Sequence, residues 1–231
     1  MQQNPPLSLK ASLMLVFLAF VLGQIVVAPF AIGIPDNSAT YEVILAAAAM
    51  LVMAAVISWT YRSEFADNWP RAMGLRRPRL TKTDVAWISL LYLGLLLLFY
   101  VVWPLSAEDA GWVRDVAIQV PLPVILLCIV IIAPLGEELI CRQCLWQGIK
   151  QRFGSPWLAT SITAVFWALL HVQYSPQGWL FIFLAGLLLG WMRYRSGSLW
   201  APVMLHTFHN LLTLVLAYHS IGPYYLAIAI P

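Results

Sequence analysis

A series of apolar runs long enough to cross a lipid bilayer, separated by short polar segments, restricts this chain more than any other feature. A bilayer core about 30 Å thick needs roughly 20 apolar residues in a helix. Runs that meet or approach this length are Ala11–Ile34, Tyr41–Tyr61, Val85–Leu105, Leu122–Gln147, Trp157–His171, Trp179–Tyr194 and Leu199–Tyr218, followed by an apolar tail at Tyr224–Ile230. They predict an all-α fold, a polytopic transmembrane helix bundle of about seven spans. Composition excludes the alternatives. With 61% hydrophobic and 10% charged residues, the chain lacks the polar groups to cover a water-soluble monomer, and it is too apolar to be disordered. Its mean hydropathy is +0.81. No internal repeat or linker divides it, so 1–231 reads as one integral membrane domain. The first run is longer than the apolar core of a signal peptide and is preceded only by Lys10, which predicts a retained helix.

Charge sets the expected orientation. The segment 62–83 carries Arg62, Arg71, Arg76, Arg77, Arg79 and Lys82. If it is cytoplasmic, the N-terminus lies inside, the C-terminus lies outside, and Lys10, Lys150, Arg152, Arg193 and Arg195 also fall inside. Of the basic residues, only Arg114 then faces out, and Arg142 sits within a span. This segregation is the positive-inside pattern of a multi-pass plasma (inner) membrane protein, with the lipid bilayer as its partner. A net charge of +3, dispersed in this way, gives no footprint for nucleic acid. Cys128, Cys141 and Cys144 lie in apolar runs; Cys141 and Cys144 form a lone CxxC with no second pair, so they read as helix residues. Gly186 and Gly190 form a GxxxG that favours close helix approach.

Ionisable residues inside spans are costly and mark functional sites. Apart from Glu42, at a span end, they concentrate in the second half: Glu137, Glu138 and Arg142 in the fourth run, His171 at the end of the fifth, and His206, His209 and Asn210 in the seventh. Segment 1–120 therefore reads as scaffold and 121–218 as the motif-bearing core, in the C-terminal four helices. Glu138 and Arg142, four apart, share a helix face and can pair, which leaves Glu137 as the freer carboxylate. Two adjacent acids with one Arg suit a division in which one works and the other orients. His206 and Asn210 share a face, whereas His209 points elsewhere and reads as a bystander. The bland account is a structural ion pair at Glu138–Arg142 that knits helices together, but it leaves the second carboxyl unexplained. Pro134 predicts a break or kink just before Gly136.

The segment from Gly136 to Leu212 resembles the CAAX-protease and bacteriocin-processing family of intramembrane proteases, also called the CPBP or Abi family. Glu137, Glu138 and Arg142 match its EExxxR motif, and His206 with Asn210 match its HxxxN motif. The FxxxH motif is matched by His171 with Trp167 in place of the aromatic Phe, and the stretch from Gly186 to His206 is also similar.

The resemblance implies an intramembrane endopeptidase that cuts peptide or membrane-protein substrates. In that reading Glu137 is the general base for water, His171 helps to hold the water, and Glu138, fixed by Arg142, positions the base or the substrate. His206 and Asn210 donate to the oxyanion. A zinc-dependent version would use Glu137, His171 and His206 as ligands; there is no HExxH, and a metal-free glutamate protease, without cofactor, is the favoured form. A non-catalytic membrane adaptor or bacteriocin self-immunity protein is the reading from another class. A small transporter fits less well, because the ionisable residues gather in one half. Depth raises one difficulty. Counted along ideal helices, Glu137 and His171 lie ~22 and ~21 Å deep, but His206 and Asn210 only ~10 and ~16 Å. Tilt or a kink has to close that gap.

Overall fold

Helix starts follow local capping. Ser8 accepts from the Ala11 N–H and opens α1 (Leu9–Ala31). After α2 (Ala39–Phe65), a short turn and a one-turn helix (Trp69–Ala72) lead into the basic segment. A capping box between Thr81 and Asp84 opens α3 (Lys82–Leu97), which runs on as a π-turn, Leu98–Val102. Ser106 caps α4 (Ala107–Gln119). A long helix, α5 (Leu122–Phe153), ends at Gly154, whose φ of 71° is the left-handed conformation glycine adopts without strain. Ser155 and Pro156 open α6 (Pro156–Leu169), and Ser175 and Pro176 open α7 (Pro176–Ser196). The last helix, α8, is Trp200–Ile228. The computed structural model describes residues 7–32 and 39–228, so the end of the first predicted span (Ile34) and the last residues of the predicted apolar tail lie outside the described residues.

A helix stands at each of the seven predicted places, and five are long and apolar enough to cross a membrane: Leu9–Ala31, Ala39–Ala72, Lys82–Val102, Leu122–Phe153 and Trp200–Ser220. The fifth predicted run, α6, has 14 residues, about 21 Å of helix, which is short of the bilayer core. It is instead protein-wrapped on one face, with Ala159, Thr160, Thr163 and Ala164 at most 1% exposed. The sixth, α7, is likewise buried along Gly186, Leu188, Leu189, Gly190, Met192 and Arg193. A helix wrapped by other helices does not need the apolarity of one facing lipid. The lipid-facing helices behave oppositely: Phe17, Phe30, Trp59 and Val102 are exposed apolar groups, as a bilayer solvent allows.

One element went unforeseen. Segment 107–119, which lies between the third and fourth predicted runs, is α4, whose buried Asp109 accepts hydrogen bonds from the Ser175 N–H (2.7 Å) and hydroxyl (2.6 Å). That pair fastens α4 to the start of α7. Gln177 donates to Trp103 O and Pro104 O and ties the end of α3 to the same corner.

The expected break near Gly136 takes a particular form. α5 contains two π segments, Leu126–Ile132 and Leu139–Leu145, on either side of an α-helical piece, Ala133–Glu138. The Ala133 N–H reaches back to Cys128 O, and Pro134 has no N–H to offer. Ile129 O thus loses both its α-type and its π-type partner. Asn210 Nδ2, from α8, donates to it at 2.9 Å.

The GxxxG reading holds for α7. A methyl at Gly186 would lie 3.0 Å from Ala164 Cβ, and one at Gly190 would lie 2.7 Å from Thr160 Cγ2, so α6 and α7 pack backbone to backbone. This approach sets Trp167, on α6, against α5 and α8.

Candidate active site

Glu138 and Arg142 pair as their spacing requires. Arg142 Nη1 donates to Glu138 Oε1 at 3.0 Å, and both side chains are fully buried. Arg142 Nη2 donates to Gly186 O, a backbone carbonyl of α7, at 3.2 Å. The guanidinium lies 4.8 Å from the centre of the Trp167 ring. Glu138 Oε1 also accepts from His206 Nδ1 at 3.0 Å. Glu138 is therefore held from two helices and is committed to structure.

Glu137 is differently placed. Its Oε2 accepts from the Trp167 indole N–H at 2.5 Å and lies 4.0 Å from His206 Nε2, and its side chain is 17% exposed. It is the freer carboxylate of the pair, as expected. Trp167 links the cluster, with its ring 5.2 Å from that of His171 and 5.1 Å from that of His206.

Convergence of Glu137 and His206 answers the depth difficulty. The turn before α8 is itself sunk into the protein: Ser198 is fully buried and Leu199 is 4% exposed. Ser198 Oγ donates to Arg76 O, and the Leu199 N–H donates to Gly74 O. Segment 74–76 thus covers the start of α8, and the 4.0 Å separation shows that Glu137 and His206 meet despite their unequal counts from the helix ends.

Two expected members stand apart from the carboxylates. His171 lies just past the end of α6 rather than within a span, with Nδ1 2.8 Å from Trp167 O. Among the described residues it makes no hydrogen bond or ion pair with either glutamate. Asn210 spends one amide hydrogen on Ile129 O. A carboxylate only accepts, so the bond to Glu138 places a proton on His206 Nδ1. Donation from Nε2 to an oxyanion then requires the imidazolium form. Glu137, His171 and His206 do not assemble as a ligand set: among the described residues, no three His, Cys, Asp or Glu side chains group closely enough to hold a metal ion.

Three contacts around the cluster were not read from the sequence. The indole donor at Trp167 was read only as one aromatic replacing another, although a Trp in place of Phe does add an N–H. The Gly186 carbonyl carries no side-chain signal. His209, read as a bystander, has its Nδ1 3.2 Å from the Tyr92 hydroxyl and lines a narrow apolar cavity with Phe181, Leu205, Trp167 and His206.

Residues 119–212 match the family model described as "Type II CAAX prenyl endopeptidase Rce1-like". A CAAX-protease-family region is therefore found over part of the chain, and it contains every residue of the cluster. The chain is 39% identical over 83 residues to an "Uncharacterized 24.3 kDa protein" of Escherichia coli. That similarity covers 35% of this chain and 38% of the relative. No solved structure matches.

Proposed function

We propose that this protein is an intramembrane endopeptidase that hydrolyses peptide bonds of membrane-associated peptides or proteins with a water activated by Glu137. The observation that carries the reading is the division of labour between the adjacent acids. Glu138 is sealed from solvent with its Oε1 held by both Arg142 and His206, whereas Glu137 is 17% exposed, accepts among the described residues only from the Trp167 indole and faces His206 Nε2 across 4.0 Å. The family match supports a protease-like activity for the region that holds them.

Glu137 takes a proton as the water oxygen attacks the scissile carbonyl carbon. The carbonyl oxygen gains the charge and receives N–H donation from His206 Nε2 and from the second amide hydrogen of Asn210, each worth roughly 3–4 kcal/mol in the transition state. Glu137 then passes its proton to the leaving nitrogen as the oxyanion collapses and the C–N bond breaks, giving a carboxylic acid and an amine and restoring the Glu137 carboxylate. His171, beside Trp167, orients the indole that holds Glu137 and flanks the water. The reaction is read as metal-free; activity that survives chelation is expected, and stoichiometric zinc with loss of activity on its removal overturns this part. The molecule is oriented with the basic segment 62–83 cytoplasmic, and α6 and α7 act as short or wrapped members of a seven-helix core.

The test is substrate capture. Glu137→Gln is nearly isosteric but cannot take the proton, so the purified variant should retain an uncleaved peptide that wild type releases as two fragments. A non-catalytic adaptor or immunity role predicts instead that wild type and Glu137→Gln hold the same intact partner and have the same biological effect.

A further inference from the structure

The end of the molecule opposite Asp109 carries positive charge without its complement. Arg193, on the last turn of α7, is 2% exposed, and its Nε is buried with no hydrogen-bond partner. Its Nη2 donates to Gln143 Oε1 at 3.0 Å, which is a neutral acceptor. Its guanidinium lies 5.7 Å from the centre of the Trp146 ring, and Lys150 Nζ lies 5.1 Å from the same ring. Arg76 joins them from the basic segment, with Nε donating to Gly197 O at 2.5 Å, four residues beyond Arg193. Arg193 and Lys150 share the Trp146 ring, and Arg76 lies two residues beyond Gly74, which abuts the Arg193 guanidinium. Among the described residues, none of the three has a carboxylate partner; the acids that do pair with cations serve Arg114, Arg142, Arg195 and His206.

Helix C-termini and an aromatic face favour cations, which accounts for basic residues at this end of α5 and α7. It does not account for sinking one guanidinium into the protein with an orphaned donor, where burial without a counter-charge is costly. Gly74 points the same way. Its φ is 70°, and a methyl there would fall 2.8 Å from Arg193 Nη2, so the backbone closes directly over the guanidinium. Exposure falls in steps from Arg76, which is exposed, through half-buried Lys150 to buried Arg193. Positive charge thus runs from the surface into the protein at the end of α5 and α7.

We propose that Arg76, Lys150 and Arg193 form a binding site for a phosphate-class oxyanion, either the headgroup of an anionic lipid or free phosphate. Arginine matches phosphate by its fork of donors, and lysine adds a point charge. The site is separate from the glutamate cluster and does not depend on the proteolytic reading.

Thermal unfolding of the full chain, purified in a neutral detergent, tests it. The probes are short-chain phosphatidylglycerol, short-chain phosphatidylcholine and inorganic phosphate, each at matched ionic strength. Binding to the folded state raises the unfolding temperature with probe concentration. Phosphatidylglycerol, but not phosphatidylcholine, should stabilise wild type, and the Arg76→Gln/Lys150→Gln double variant should shift the half-effective concentration upward by about tenfold or more. Both substitutions are at exposed or half-buried positions, so the test does not hinge on whether Arg193→Gln folds. If inorganic phosphate stabilises as well, with the same dependence on Arg76 and Lys150, the site takes the phosphate group itself; if only the lipid does, it takes a headgroup. Equal stabilisation by the two lipids, or of wild type and the double variant, overturns the proposal.

Discussion

Glu138 and Arg142 show how little choice a buried charge leaves its neighbours. Both are fully buried, and each depends on the other, on His206 or on Gly186 O. Removing one member of such a pair leaves an uncompensated charge, so Arg142→Leu is expected to destabilise the fold by about 3–5 kcal/mol. A loss of under about 1 kcal/mol in reversible unfolding would mean the pair is not buried as described. Trp167 offers a finer test. Phe keeps the ring but not the N–H that Glu137 accepts. A hydrogen bond to a charged group contributes about 1.5–3 kcal/mol, so Trp167→Phe should retain its fold while turnover falls roughly tenfold or more. Unchanged turnover would show that the indole packs without positioning Glu137. Both acids, Arg142, His206 and the pairing of Glu138 were legible in the sequence because charges in apolar runs stand out. The contact with Gly186 O was not, since a backbone carbonyl leaves no mark on residue type.

At the scale of elements, the site rests on two junctions. The first is the α6–α7 contact, where Gly190→Leu would drive a side chain into Thr160 and push α6, with Trp167, away from Glu137. Overpacking of this kind costs about 1–3 kcal/mol, and loss of cleavage should accompany a lower unfolding midpoint. The second is α4, held at the start of α7 by Asp109. Burial pushes the Asp109 carboxyl up, but hydrogen bonds from Ser175 and Ser106 outweigh it, and the net direction is below the usual carboxylate range. A carboxyl lowered on folding adds stability at pH values above its unfolded value, near 4, and that stability is lost as pH falls through the lower folded value. Wild type should therefore lose stability below about pH 4 relative to Asp109→Asn, a variant already missing this contribution. Parallel acid unfolding of the two would count against the contact. Helix α4 escaped sequence reading because Glu108, Asp109, Arg114 and Asp115 look like a solvated loop, and nothing local reveals that Asp109 is turned inward on Ser175. The Pro134 break was legible, but its repair by Asn210 was not, because the donor comes from a helix 76 residues further along the chain.

For the whole molecule, the apolar runs disclosed a membrane bundle, but not which helices are wrapped by others. Hydropathy cannot tell α6, apolar yet short, from a full span, nor credit α7, whose polar residues are buried among neighbours. The fold joins segment 74–79 to the α7–α8 turn through Gly74, Arg76 and Arg79, and joins Asp109 to Ser175 elsewhere. Cysteines introduced at Arg77 and Gly154 should accordingly be labelled by an impermeant thiol reagent from one side of the membrane and one at Arg114 from the other; the native cysteines are buried. Labelling of all three from one side would contradict the arrangement. The account as a whole turns on whether the less encumbered carboxylate does chemistry. The most direct measurement compares newly formed peptide termini in membranes containing wild type or Glu137→Gln at equal abundance. The account predicts termini that form with wild type and fall by about 10²-fold or more with the variant; termini that form equally with both would contradict it.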